Sequence, residues 1–151
     1  MPEHILSGIK AIIAIKLKKE GKLQREIAEY LKIDRSVVSH YVNGRYPSEK
    51  VLIVANEIAE LPVKQGVFII NTLSEDKELT NRIIKNIYGD STAIEINANT
   101  CILCGGCLEC EYNAISINNT NYLMNIDNKS CVLCGKCLKL CPDHILILNN
   151  K

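Results

Sequence analysis

The stretch CVLCGKCLKLCP, residues 131–142, spaces four cysteines three, three and four residues apart and follows the last one with proline. A second run, CILCGGCLEC at residues 101–110, begins 30 residues earlier and has nearly the same pattern. All eight cysteines of the 151-residue chain fall in these two runs. The segments after them, EYNAISI and PDHILIL, also correspond. One half-unit is therefore used twice, which predicts a pseudo-twofold module.

The spacing of these cysteines indicates the metal that they hold. Three cysteines within seven residues wrap a loop of backbone around one centre, as in four-iron four-sulfur sites. Gly105 and Gly135, each directly after a second cysteine, let the main chain pass close to inorganic sulfide. Two zinc ions are the alternative, but structural zinc usually takes two cysteine pairs separated by a dozen or more residues. We therefore favour iron-sulfur clusters.

Residues 93–151 resemble the two-cluster ferredoxins of the bacterial type. The resemblance implies two [4Fe-4S] clusters with crossed ligation, in which the fourth cysteine of each run reaches the other cluster. The ligands that it implies for cluster 1, called set 1, are Cys101, Cys104, Cys107 and Cys141. Those for cluster 2, called set 2, are Cys131, Cys134, Cys137 and Cys110.

The first run departs from the ferredoxin pattern by one residue. Only two residues separate Cys107 from Cys110, and Glu111 stands where proline is expected. Deleting one residue from a helical turn rotates the residues after the deletion by about 100°, so Cys110 must reach cluster 2 along an altered path. We expect the loop to absorb the change, because residues 113–115 keep the ferredoxin pattern. A more exposed or more labile cluster 2 is the alternative.

The amino-terminal residues predict helices. Apolar residues at helical spacing predict a first helix that ends at Gly21. Residues 22–44, KLQREIAEYLKIDRSVVSHYVNG, predict two short helices joined around residues 32–34. Asp34 is placed to cap the second of these helices with its carboxylate, and Asn43-Gly44 ends it.

Residues 5–61 resemble the helix-turn-helix domain of phage-repressor-like regulators. Gln24 opens the first helix of the motif, and Ala28 is the small residue that permits a close helix crossing. Lys32 occupies the turn position where glycine is usual, so the turn requires a costlier left-handed residue.

The same resemblance implies that residues 34–43 form a recognition helix for double-stranded DNA. Arginine suits guanine and asparagine suits adenine. The implied outward residues are Arg35, Ser36, Ser39, His40 and Asn43. The implied phosphate contacts are Gln24, Lys32, Arg45 and Tyr46. The alternative is that these polar residues form a solvated face used for protein contact.

The remaining segments complete the expected fold, an α+β chain of two domains. Helices are expected at residues 48–61, 63–73 and 75–88, and strands at residues 93–96, 114–118, 122–126 and 145–148. We expect a helix-turn-helix domain at 1–61, a helical extension or connector at 62–92, and the ferredoxin domain at 93–151. The extension is expected to complete the helical core, with a dedicated dimer interface as the alternative.

Charge and hydropathy bear on location and partners. Residues 1–50 carry ten Lys and Arg against six Asp and Glu, whereas residues 93–151 carry four against five. The excess of positive charge in residues 1–50 favours binding to a polyanion. The apolar run at residues 11–15 is short and flanked by lysines, so neither a signal peptide nor a membrane span is expected. We expect a cytoplasmic protein with reduced thiols and no membrane partner.

The functional expectations depend on the order of the two domains. No nucleophile, paired carboxylates or phosphate loop is present in the sequence, so we expect no independent enzyme. The whole chain resembles predicted archaeal iron-sulfur proteins with an amino-terminal DNA-binding domain. That resemblance implies a transcriptional regulator responsive to redox state, oxygen or iron. Assembly of the chain into a homodimer is one alternative for its oligomeric state. The alternative is a ferredoxin-type electron carrier whose helical domain docks a redox partner protein.

Overall fold

The computed structural model describes the backbone of residues 2–150 and the side chains of residues 4–149. The chain divides into two compact units between Tyr88 and Gly89. Within residues 2–88 the first unit contains α1 (Pro2–Lys19), α2 (Gln24–Leu31), α3 (Arg35–Val42), α4 (Glu49–Glu60), α5 (Val63–Leu73) and α6 (Lys77–Tyr88). The second unit contains β1 (Thr92–Ile96), a 3₁₀ turn (Gly106–Glu109), β2 (Ile115–Ile117), β3 (Met124–Ile126), α7 (Lys136–Leu140) and β4 (Leu146–Asn150). The expected α+β fold in two domains is confirmed.

Helix α1 is the centre of the first unit and contacts each of the helices α2 to α6. Its side chains Ile9 and Ile13 are almost fully buried, each 1% exposed. The crossing with α4 is close: a Cβ atom at Gly8 would lie 2.8 Å from Val51 Cγ1. A larger residue at this position would push the two helices apart.

Helices α2 and α3 form the expected helix-turn-helix. Ile27, Leu31 and Val38 are fully buried between the helices, as apolar residues at helical spacing predict. Lys32 adopts the expected left-handed conformation, with φ 53° and ψ 47°. The backbone N–H of Ile33 then donates to the Ala28 carbonyl at 3.0 Å, which closes the end of α2.

Asp34 begins α3 at the expected position but not through the expected bond. Its side chain makes no capping hydrogen bond, so the prediction of a carboxylate cap was wrong. The carboxylate is exposed to solvent, which competes for it. The helix begins instead from extended backbone at Asp34, whose carbonyl accepts the N–H groups of Val37 and Val38 at 3.0 and 3.2 Å.

Helix α6 packs on α2 and completes its carboxy-terminal end. The Arg82 guanidinium donates to the Glu29 and Tyr30 carbonyls at 3.3 and 3.1 Å. These carbonyls belong to the last turn of α2, whose C=O groups lack the usual partner four residues ahead; the Glu29 carbonyl also accepts the Lys32 N–H at 3.4 Å. The Tyr30 hydroxyl donates in return to the Arg82 carbonyl at 2.9 Å. The two helices therefore satisfy each other's main-chain groups.

The carboxy-terminal end of α6 is fixed to the end of α4. The Tyr88 hydroxyl donates to the Leu61 carbonyl at 3.1 Å. Gly66 leaves room for the ring, since a Cβ atom there would overlap the Tyr88 hydroxyl oxygen. Val67 and Ile83 are buried in the same core. Residues 62–88 thus pack as part of the first unit.

The second unit is closed by pairing its first and last strands. Strand β1 pairs antiparallel with β4, with Ile94 opposite Leu148, and β2 pairs antiparallel with β3. Both cysteine runs lie between β1 and β4 in the sequence. The pairing therefore brings the two ends of the cysteine-containing segment together. Across residues 2–150, none of the helices has both the length and the apolar composition needed to span a membrane.

Candidate metal centre and helix-turn-helix surface

The two cysteine runs adopt the same local backbone. Leu103 and Leu133, at equivalent positions, have positive φ angles of 55° and 59°. Gly105 and Gly135 come two residues later, with φ angles of 79° and 74°. Positive φ is uncommon for residues other than glycine, so its recurrence at both leucines shows that the two loops wrap in the same way.

The structure brings the four cysteines of set 1 together around one cavity. Cys101, Cys104 and Cys107 of the first run line it with Cys141 of the second. Cys107 and Cys141 are buried, whereas Cys104 is exposed. The rest of the lining is mostly apolar and includes Ile96, Ile102, Met124, Ile145 and Leu146. Burial raises the pKa of the Cys107 thiol, and the charges of the other three members raise it further.

Set 2 is gathered around Cys137. Burial, as the largest cause, and the nearby thiolates of Cys131, Cys134 and Cys110 together raise the pKa of the Cys137 thiol to about 12, with a smaller contribution from Cys107. Cys110 of the first run therefore lies close enough to Cys137 to interact with it. All four members of set 2 are half-buried, so no member is enclosed as Cys107 and Cys141 are in set 1.

The donors of both sets fit iron-sulfur clusters. Each set offers four sulfur donors, which soft metal centres and iron-sulfur clusters prefer. Crowding thiolates in a partly desolvated site is unfavourable without a compensating cation, as the raised pKa values of Cys107 and Cys137 reflect. Within residues 4–149, no three His, Cys, Asp or Glu side chains are placed to hold one metal ion. A four-iron cluster binds each cysteine through a different iron atom, over a wider span than one ion.

The missing residue of the first run is absorbed within one helical turn. After its third cysteine the second run continues as α7, whereas the first run forms the 3₁₀ turn Gly106–Glu109. A 3₁₀ helix has about 3.0 residues per turn and an α-helix about 3.6. Three residues of 3₁₀ helix turn through about 360°, and four residues of α-helix through about 400°, so the tighter turn compensates for most of the missing residue.

The two runs return to equivalent geometry at their last cysteines. Cys110 has φ −63° and ψ 119°, and Cys141 has φ −83° and ψ 113°. The N–H of Asn113 donates to the Cys110 carbonyl at 3.1 Å, and the N–H of His144 donates to the Cys141 carbonyl at 3.4 Å. The backbone thus reaches Cys110 in the conformation that Cys141 has in the complete run.

The residues predicted to contact bases lie on one surface of α3 and at its end. Arg35, Ser36, His40 and Asn43 are exposed, and Ser39 is half-buried. The Asn43 amide donates to the Ser39 hydroxyl at 3.3 Å, which holds the two side chains together. Of the predicted phosphate contacts, Arg45 and Tyr46 are exposed beyond α3, and Gln24 is half-buried at the start of α2. The Tyr46 ring stacks on that of Tyr41.

Lys32 lies in an ion-pair cluster that the sequence did not predict. Its ammonium nitrogen is 2.9 Å from Asp76 Oδ2 and 3.1 Å from Glu78 Oε2. Hydrogen bonds to Asp76 and Glu78 raise the pKa of Lys32, and the Lys32 ammonium lowers the pKa values of both carboxyls. Pairing with α6 therefore competes with the predicted phosphate contact. Asp76 and Glu78 lie 44 and 46 positions after Lys32 in the sequence. No local sequence pattern indicates a contact over such a separation.

Comparisons with known proteins agree with this division of the chain. A helix-turn-helix family matches residues 13–56, and a 4Fe-4S dicluster domain matches residues 90–146. The chain is 48% identical over 146 residues to the ferredoxin-type protein FwdE of Methanocaldococcus jannaschii, an alignment that covers 97% of this chain and 96% of that protein. No solved structure matches the chain. The chain therefore carries a helix-turn-helix and binds two [4Fe-4S] clusters.

The assignment of the cysteines to the two clusters gives a direct test of crossed ligation. Cys110→Ser is expected to lower the iron content from about eight to about four per chain. The substitution removes the one ligand that the first run supplies to cluster 2, so that cluster is lost. Cys141→Ser is expected to remove cluster 1 instead. Thiol alkylation followed by mass spectrometry identifies the cysteines that each substitution releases.

The two substitutions serve as controls for each other. In Cys110→Ser, the labelled cysteines are expected to be those of residues 131–137, with residues 101–107 protected, and Cys141→Ser is expected to give the reverse. Labelling confined to the run that carries the substitution would show that each run binds its own cluster.

Proposed function

The chain belongs to the same family as the ferredoxin-type protein FwdE, and we propose, because of its helix-turn-helix, that it is a DNA-binding transcriptional regulator without catalytic activity of its own. In this proposal the state of its iron-sulfur centres sets its affinity for double-stranded DNA. When bound, the two clusters supply reversible one-electron chemistry and the cross-links that stabilise the second unit. The residues of the first unit perform the binding.

One observation carries the proposal: α6, the last helix before the cysteine-rich unit, holds the turn of the helix-turn-helix. Asp76, the residue directly before α6, and Glu78 in its first turn pair with Lys32 in that turn. Arg82 donates to the terminal carbonyls of α2 and pairs with Glu78 at 2.6 Å. Residues 89–91 alone separate α6 from β1. A change in the second unit therefore has a short covalent path to the helix that holds the turn.

The exposed surface of α3 supports a role in reading DNA. Arg35 at its start presents a guanidinium, which binds the two acceptors on the major-groove edge of guanine. Asn43 at its end presents an amide, which suits adenine in the same way. Arg45, just beyond the helix, is exposed and carries the charge needed for a phosphate contact. The three side chains offer both base readout and backbone positioning.

The experiment that tests this role is selection of duplexes from a random pool with anaerobic, cluster-loaded protein. We expect enrichment of a defined sequence. Arg35→Ala is then expected to reduce discrimination at one base position by about tenfold, because a bidentate base contact is lost. Arg45→Ala is expected to weaken all duplexes alike and to reduce the slope of log affinity against log salt by about one unit.

Lys64→Ala is the matched control, because Lys64 is an exposed cation on α5 in the same unit. It is expected to leave both the sequence preference and the salt slope unchanged. Failure to enrich any sequence would contradict the DNA-binding role.

A ferredoxin-type electron carrier is the second candidate function, and the exposure of one ligand favours it. Cys104 of set 1 is exposed, and its neighbours Ile102 and Leu103 are 66% and 42% exposed. An exposed ligand beside an apolar surface gives a redox partner a short path to cluster 1. Rapid reduction of a partner protein together with no duplex enrichment would favour this function over the regulator.

A further inference from the structure

An ion pair joins the two cysteine runs at set 2. The Lys136 ammonium nitrogen lies 2.8 Å from Glu111 Oε1. Glu111 comes directly after Cys110, and Lys136 comes directly before Cys137. The pair therefore links the two loops whose cysteines must converge on cluster 2. Glu111 also occupies the position at which the second run has Pro142.

The equivalent place around set 1 is built differently. There the counterpart of Lys136 is Gly106, and a Cβ atom at Gly106 would lie 3.1 Å from the Leu140 carbonyl oxygen. The two runs thus approach main chain to main chain beside set 1. Beside set 2 the long side chain of Lys136 spans to the carboxylate of Glu111. Side chains make the connection on the side where the first run is one residue short.

We propose that Glu111 and Lys136 are positioning residues that hold Cys110 at cluster 2, in place of the missing residue and the missing proline. This inference rests on the crossed ligation and is independent of whether the protein binds DNA. The two side chains are 67% and 54% exposed, so solvent screens the pair. An exposed ion pair changes an equilibrium by about 1.4- to 5-fold, and this range sets the size of the expected effect.

The proposal is tested by the rate at which the full-length, anaerobic, cluster-loaded protein loses cluster 2 to an iron chelator. Alkylation of the cysteines in residues 131–137 reports that loss, and protection of residues 101–107 reports that the second unit stays folded. We expect Glu111→Gln and Lys136→Met each to accelerate the loss of cluster 2 by about 1.4- to 5-fold. Because both substitutions remove one interaction, the double variant is expected to be no faster than either single variant.

Two further variants separate positioning from a general effect of charge. Glu109→Gln is the matched control, because Glu109 adjoins Cys110 in the 3₁₀ turn and is also an exposed carboxylate. It is expected to release cluster 2 at the wild-type rate. Exchange of the two charges, Glu111→Lys with Lys136→Glu, is expected to restore the slow rate because the pair re-forms.

A variant with the ferredoxin spacing tests whether the pair compensates for the deletion. It has one residue inserted between Glu109 and Cys110 together with Glu111→Pro. This variant lacks the pair but is expected to lose cluster 2 as slowly as the wild type, and Lys136→Met in its background is expected to have no further effect. Continued acceleration there would overturn the proposal. Wild-type rates for both single variants, or equal acceleration by Glu109→Gln, would also overturn it.

Discussion

Removal of iron and sulfide is expected to unfold the second unit and to leave the first unit folded. The second unit spans residues 89–151, and its strands are three and five residues long. A unit of this size rarely buries enough apolar surface to fold without a metal or another cross-link. The first unit has its own core around α1 and contains none of the cysteines, so we expect it to stay folded.

Hydrogen exchange read by mass spectrometry measures this difference between the two units. In the apoprotein, amides of β1 and β4 are expected to exchange at the rate of an unstructured chain, at least about a hundredfold faster than in the loaded protein. Amides of α1 are expected to keep their protection. Loaded protein carried through the same buffers without chelator is the control. Protection of β1 and β4 that survives iron removal would contradict the prediction.

The helices of the first unit could be predicted from the sequence because each ends at a residue type that stops a helix through its own backbone conformation. Gly21, Asn43-Gly44 and Pro62 each stand at a helix boundary that the structure confirms. The left-handed conformation of Lys32 was equally predictable from its position in the turn. Asp34 shows the limit of such reasoning: its type and position suit a cap, but its exposed carboxylate does not bond to the helix.

The interactions that the sequence did not predict join residues far apart. The contact between Lys32 and Asp76 and the contact between Arg82 and Tyr30 depend on the packing of α6 against α2. Charged residues occur throughout the helices, so their order does not indicate which of them will pair. The shortened first run could be predicted only in part. Its length indicated that the chain reaches Cys110 along an altered path, but only the structure shows that a 3₁₀ turn provides this path.

The regulator proposal predicts that loss of the clusters changes the affinity for the selected duplex by about 5- to 150-fold, a coupling of about 1–3 kcal/mol. Unfolding of the second unit releases the chain after Tyr88, and α6 then has one end free. Because Lys32 and the last carbonyls of α2 are held by α6, movement of α6 alters the turn that sets α3. One-electron reduction changes charge with little change in geometry, so we expect a smaller effect from reduction than from cluster loss.

The measurement is the affinity for that duplex of oxidised, reduced and cluster-free protein at one salt concentration. A variant combining Lys32→Met with Arg82→Leu removes the contacts of α6 with the turn and with α2, so it is expected to keep about eight iron per chain while losing most of the coupling. Lys64→Met is its matched control, since Lys64 is an exposed cation on α5, and it is expected to keep the coupling intact. If all three states bound equally tightly, cluster state would not control DNA affinity, and electron transfer would become the better account of the clusters.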